Sequence, residues 1–314
     1  MFDNLIVCVN AVLPMFLIML AGYATRRVGF LAEKEVLSFN KVAFHIFCPP
    51  LVIVNLYNSD LASAFRPRFV GFALAGVLIE FALGLLIAPK ITKEPKRKGV
   101  LVQAMFRTNL AIIGVPLIQR LMGKGCDMGP LTALMTTVVP VYNILAVVTL
   151  ESMSGEKSKV RDLIVDIFKN PLIIGTIVGV LILLFRIRLP DFLLGALSDM
   201  ADVASPLMMF LLGAFFDFHG VGGRLREIGA GCLFRLVLFP GTFMGLAALL
   251  GFRGIEFVSL FPAFGTSVAI GSFTMSQQLG GDAYLAGDLV IWTSVLCIPT
   301  IFFWMLLFKS VGLF

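Results

Sequence analysis

Thr108-Asn109-Leu110-Ala111-Ile112 and Thr266-Ser267-Val268-Ala269-Ile270 are two versions of one pattern, set about 158 residues apart in a chain of 314. The same register, about 157–158 residues, aligns Pro14 and Gly22 with Pro171 and Gly179. It also sets Pro49–Leu51 against Pro206-Leu207, Gln119-Arg120-Leu121 against Gln277-Gln278-Leu279, and Pro140 near Pro299. Apolar segments often match by chance, but one register held across four or five of them seldom does. The chain reads as two related halves.

What the halves are made of follows from composition. Hydrophobic residues make up 59% of the chain and charged ones 14%, with a mean hydropathy of +0.97. A soluble domain has roughly 25% charged and about 45–50% apolar residues. A membrane-spanning helix needs about 20 apolar residues. Apolar runs bounded by Gly, Pro and charge clusters fall at about 4–24, 36–57, 69–89, 99–121, 128–150, 170–186, 191–216, 228–251, 256–279 and 283–309. They predict an all-α integral membrane protein of ten transmembrane helices, five in residues 1–150 and five in 170–314. Five is odd, so the second half must be inverted in the membrane. Two inverted five-helix repeats are an architecture of secondary transporters. Leu5–Tyr23 reads as the first span, because it lacks a basic leader, exceeds a signal-peptide core and is followed by Arg26-Arg27.

The excess of 25 Lys+Arg over 19 Asp+Glu reads as cytoplasmic loop charge, not as a nucleic-acid surface. With the N-terminus outside, the inner loops hold about 15 basic residues and the outer ones about 8. Both termini are therefore expected outside. In the connection 151–169, Val160, Leu163, Ile164, Ile167 and Phe168 share one helical face opposite Lys157, Lys159, Arg161 and Asp166. That pattern predicts an amphipathic helix on the cytoplasmic surface. The five cysteines are scattered without a Cys-x-x-Cys, and there are two histidines, so no metal site, no cofactor and no nucleophile–base pair is expected. The chain does not read as an enzyme.

Chemistry is expected at span 4, Arg107-Thr-Asn-Leu-Ala-Ile-Ile-Gly-Val-Pro116-Leu. Asn109, Gly114 and Pro116 within one and a half turns predict a broken helix, since proline removes an N–H and glycine frees the backbone. Unwound backbone at membrane depth is tolerated where it lines a cavity or is buried in protein, and a half-helix N-terminus there offers N–H groups to an anion. Span 9 is interrupted in the same way by Gly265-Thr266-Ser267 and Gly271-Ser272. The candidate substrate-binding residues are Thr108, Asn109, Gly114, Pro116, Gln119, Ser267, Ser272 and Gln277. Glu80, midway along span 3, is either a protonatable coupling group or the partner of a basic residue. Arg107 and Arg235 lie near the cytoplasmic ends of spans 4 and 8, where they can snorkel or draw anions into a vestibule. His45 and Asp288 are weaker candidates. Neither break has a carboxylate nearby, which weighs against a sodium site of hard ligands.

Asn109-Leu-Ala-Ile-Ile-Gly114-Val-Pro116-Leu resembles the helix break of the auxin efflux carrier family of permeases. Asn170-Pro171-Leu-Ile-Ile-Gly-Thr-Ile-Val-Gly, Ser205-Pro206-Leu-Met-Met-Phe-Leu-Leu-Gly213-Ala and Gln277-Gln-Leu-Gly-Gly-Asp282 also resemble that family, as does the run from Thr293-Ser294 to Pro299. The matches cover nearly the whole chain. The resemblance implies a fold like that of the bile-acid symporters, with helices 4 and 9 broken and crossing. It further implies a scaffold of spans 1, 2, 6 and 7, often dimeric, and a moving transport domain made of the other spans. Family members export small carboxylates: indole-3-acetate in plants, malate or malonate by the usual label in bacteria. The short central loop is like that of the compact bacterial members, which implies the bacterial plasma membrane. Asn109 and Pro116 match the family's substrate-binding asparagine and crossover proline. At the second break the chain departs from the pattern, with Ser267 where relatives usually have proline and Pro262 too early to replace it. The competing readings are a sodium-coupled organic-anion symporter and a membrane sensor that holds a ligand or lipid without moving it.

Overall fold

The computed structural model describes residues 2–59, 66–123, 125–154, 165 and 167–314, and every predicted apolar stretch is helical. The helices are α1 (Phe2–Arg27), α2 (Glu33–Val42), α3 (Cys48–Tyr57), α4 (Pro67–Ile91), α5 (Pro95–Phe106), α6 (Leu110–Met122) and α7 (Gly129–Ser152). They continue as α8 (Pro171–Leu184), α9 (Asp191–Phe215), α10 (Leu225–Leu233), α11 (Gly245–Leu249), α12 (Gly254–Gly265), α13 (Gly271–Gln278) and α14 (Ala283–Ser310). Wide π-helical turns at Ala43–Phe47, and at Phe234–Leu238 and Pro240–Met244, run α2 into α3 and α10 into α11. Among the described residues, six continuous helices are long and apolar enough to cross a membrane: Glu33–Tyr57, Pro67–Ile91, Gly129–Ser152, Asp191–Phe215, Gly220–Leu249 and Ala283–Ser310. Of the amphipathic connection, Val160, Leu163, Ile164, Lys157, Lys159, Arg161 and Asp166 lie outside the described residues.

Several sequence motifs turn out to be helix-terminus chemistry. Asn170 caps α8, its Oδ1 accepting from Leu172 N–H at 3.0 Å, while Pro171 occupies the first helical position where its missing N–H costs nothing. Asp282 caps α14 in the same way, accepting from Leu285 N–H at 3.0 Å. Gly280, at φ +75°, supplies the left-handed turn that brings the chain out of α13 into that cap.

Small residues set the closest helix crossings, as expected where lipid removes most of the hydrophobic drive between helices. A Cβ on Gly22 of α1 would lie 1.9 Å from the Phe210 carbonyl oxygen of α9, and one on Gly213 of α9 only 1.8 Å from the Met19 carbonyl oxygen. On α8, a Cβ on Gly179 would meet Leu56 Cδ1 at 2.7 Å and Ile53 Cα at 3.3 Å, both on α3. Gly175 of α8 sits equally close to Pro49. The four helical segments α1, α3, α8 and α9 thus pack backbone against backbone.

Two helical runs are interrupted: α5 and α6 are separated by Arg107–Asn109, and α12 and α13 by Thr266–Ile270. The first interruption corrects the expected position. Gly114 and Pro116 lie inside α6, which runs through them from Leu110 to Met122. Pro116 leaves the Ile112 carbonyl without its helical partner but does not end the helix. Gly114 serves packing, since a Cβ there would lie 3.0 Å from Cβ of Pro262 on α12.

Replacing Gly213 by leucine should destabilise the protein by more than about 3 kcal/mol, because a backbone carbonyl and not a flexible side chain has to move. Gly195, with no atom within 4 Å of its would-be Cβ, should accept the same change. Thermal melting of the two detergent-solubilised variants checks the contrast.

Candidate functional site

The two interruptions lie against each other. Arg107 (φ −90°, ψ 111°) and Thr266 (φ −97°, ψ 170°) are extended, and an antiparallel bridge joins Thr108 to Val268. Asn109 N–H donates to the Ser267 carbonyl at 2.9 Å, and Ala269 N–H to the Arg107 carbonyl at 3.3 Å. Val268 N–H finds Thr293 Oγ1 at 3.1 Å. Backbone groups released by unwinding must be satisfied when buried, and here each segment does much of that for the other.

The carbonyls at the ends of α5 and α12 are met by one side chain. Arg235, in the Phe234–Leu238 turn, donates to the Met105 carbonyl at 2.7 Å, to the Ala263 carbonyl at 3.3 Å and to the Phe264 carbonyl. Its charge is matched by Glu80 of α4 at 3.3 Å, and both residues are fully buried. The guanidinium therefore cannot snorkel, since both helix ends and its carboxylate hold it inside. Glu80 is the partner of a basic residue. Tyr142 of α7 ties the same two breaks together, its hydroxyl donating to the Ala263 carbonyl at 3.2 Å and lying 3.1 Å from Thr108 Oγ1.

Beside the crossing is a cavity of about 280 Å³. Leu51, Val52 and Asn55 of α3, Met135, Val139 and Asn143 of α7, and Ser205 and Met208 of α9 line it with Arg107, Thr108, Asn109, Leu110, Ile112 and Ala269–Gly271. Arg107 is 9% exposed, so it does not snorkel either. Its Nη2 donates to Asn143 Oδ1 at 3.0 Å and its Nη1 faces the Met275 sulfur. Among the described residues no carboxylate pairs with Arg107 or lines the cavity. Asn109 Nδ2 and Asn143 Nδ2 are buried without a hydrogen-bond partner. α6 and α13 both begin here, adding the partial positive charge of two helix N-termini. Donors and positive charge converge where, among the described residues, no carboxylate meets them, so the arrangement is suited to an anion.

The predicted residues divide accordingly. Thr108 and Asn109 line the cavity. Ser267 pairs with Asn109 through its backbone, while the hydroxyls of Ser267 and Ser272 are buried without partners and do not face this cavity. Gly114 and Pro116 belong to α6 packing, and Gln119 lies near the far end of that helix. Gln277 Oε1 instead accepts from Asn40 Nδ2 of α2, away from the crossing. Asp288 is engaged by Arg224 at 2.5 Å, and His45 Nδ1 lies 2.9 Å from the Lys41 carbonyl oxygen. Among the described residues no group of three or more His, Cys, Asp or Glu could hold a metal ion. Tyr142 and Asn143 carry one signal in the sequence, two polar side chains in an apolar run beside Pro140.

Changing Glu80 to glutamine strands the Arg235 charge and should cost about 3 kcal/mol of stability, read as a lowered melting temperature; unchanged melting contradicts the pairing. Changing Asn109 to alanine should weaken anion binding at least about tenfold, roughly 1.4 kcal/mol, with the melting temperature held. Equilibrium binding on the folded variant measures it.

A family model described as membrane transport protein matches residues 7–305. An uncharacterized transporter of Methanocaldococcus jannaschii is 21% identical over 79% of this chain and 81% of its own. Another, from Methanothermobacter thermautotrophicus, is 24% identical over 79% of this chain and 81% of its own. The chain belongs to the membrane transport protein family, that of the auxin efflux carriers, and is a multi-pass membrane transporter.

Proposed function

We propose that the protein is a permease for small organic anions, carboxylates such as malate, malonate or auxin-like acids, working by alternating access without covalent chemistry. The observation behind this reading is the donor-lined cavity at the crossing, where a buried guanidinium and two unpartnered amides meet two helix N-termini. An anion bound there moves with the half-helices that hold it.

Contacts between the halves support two inverted five-helix repeats, 1–150 and 170–314, joined by 151–169. Gly22 meets Phe210, and their register equivalents Gly179 and Ile53 meet in turn. The antiparallel pairing is centred on Asn109 and Ser267, which the register also equates. Equivalent residues in reciprocal contacts are what a two-fold axis in the membrane plane produces. The close packing of α1, α3, α8 and α9 favours them as the scaffold, with a homodimer formed through it and both termini outside the plasma membrane.

The energetics follow from charge. A negative-inside potential of 100 mV favours export of one anionic charge by about 2.3 kcal/mol, so efflux needs no coupled ion. Glu80 held against Arg235 favours this over proton coupling, which would require the pair to separate.

Proteoliposomes containing the full chain, given labelled carboxylates under a set potential with and without sodium, test the reading. Saturable, potential-sensitive movement of one acid without sodium is expected. A sodium requirement would replace it with the symporter, and binding without movement with the sensor.

A further inference from the structure

Resting on the permease reading, we infer that Arg107 and Asn143 form the anion anchor of the cavity and that the anchor selects acids with a single carboxylate and an apolar body. Asn143 is 2% exposed and uses its oxygen to orient the guanidinium at 3.0 Å. That leaves its Nδ2 buried without a partner, as is Asn109 Nδ2, on two residues that line the same cavity. One full positive charge and two unpartnered amides are thus held together, and among the described residues no carboxylate neutralises the charge.

Burying a charge without a counter-charge is costly, so the ligand is the missing ion-pair partner. A planar guanidinium with two flanking amides matches a carboxylate's two oxygens. Here the count of charges decides. Among the described residues Arg107 is the sole cation lining this cavity, and Leu51, Val52, Ile112, Met135 and Val139 are among its apolar lining. Beyond Thr108, Asn109, Tyr142 and Asn143, the neutral polar residues of the lining are Asn55 and Ser205. A second carboxylate would find no second cation in this lining to meet it. An apolar body at that place loses nothing and displaces water from the aliphatic wall. At about 280 Å³ the cavity lies near the small end of ligand sites, roughly 300–1,000 Å³. The same arithmetic describes the moving unit: with one carboxylate bound the site is neutral, and empty it retains the positive charge of Arg107.

The test compares acids of equal chain length, butanoate against butanedioate and hexanoate against hexanedioate, by equilibrium binding to the full chain in lipid nanodiscs. Each monoacid should bind at least about tenfold tighter than its diacid. Arg107→Gln should lose monoacid binding by about a hundredfold or more, with Arg107→Lys intermediate because charge remains and the fork is lost. Asn143→Ala should weaken binding at least about tenfold and provides a second variant where Arg107→Gln fails to fold. Equal or tighter diacid binding, or monoacid binding unchanged in folded Arg107→Gln or Asn143→Ala, overturns the inference. Transport of diacids with no monoacid binding overturns it and leaves the permease standing. Selective monoacid binding without transport in proteoliposomes supports the anchor and overturns the permease reading instead. No binding of any of the four acids overturns the inference and leaves the permease reading to the proteoliposome assay.

Discussion

Unwound backbone buried inside an apolar protein must find hydrogen-bond partners within the protein, and this constraint organises the molecule. Two segments solve it together: Asn109 N–H meets the Ser267 carbonyl and Ala269 N–H the Arg107 carbonyl. Neither segment can unwind on its own without orphaning those groups. What remains, the carbonyls at the ends of α5 and α12, is gathered by Arg235, which in turn requires Glu80. A carboxylate on α4, a guanidinium in the Phe234–Leu238 turn and the tyrosine of α7 therefore act as one brace behind the crossing. The functional consequence is on the opposite side. With those carbonyls satisfied, Arg107 is left at the cavity with no carboxylate partner among the described residues.

The two buried arginines differ in the way that separates structure from function. Arg235 has a carboxylate and three carbonyls, so its charge is matched within the protein. Arg107 has one amide oxygen and a sulfur, and its charge stays open. A full charge without a counter-ion in a cavity walled by Leu51, Val52 and Met135 is a cost that stability alone does not explain, and on the proposed function a bound anion would remove it.

Much of the fold was legible in the sequence because helix length and apolarity are local properties. The ten stretches lie within a few residues of the helices, and Asn170-Pro171 and Asp282 mark ends by chemistry that needs no tertiary context. The repeat register went further, equating Asn109 with Ser267, which the structure joins by a hydrogen bond. The breaks were less legible. Gly114 and Pro116 are the residues that disfavour a helix most, yet α6 accommodates both, and the chain unwinds at Arg107-Thr108-Asn109, which holds neither glycine nor proline. The cause is non-local: this segment has Thr266–Ile270 to pair with. The site was half legible for the same reason. Asn109 and Thr108 announce themselves by polarity within an apolar run. The convergence of Arg107 with Asn143, and of Glu80 with Arg235, links residues on different helices that no spacing rule connects. Gln119 and Gln277 obeyed the register but sit away from the crossing.

On the proposed function an anion completes the crossing. The most direct measurement is an experimental structure of the protein in lipid nanodiscs, saturated with the carboxylate that binds it tightest. Density for that carboxylate within hydrogen-bond distance of both the Arg107 guanidinium and Asn109 Nδ2, with the Asn109–Ser267 backbone pairing intact, is the predicted result. A carboxylate seated elsewhere with Arg107 paired to a protein carboxylate, or a helix continuous through Arg107–Asn109, would contradict it.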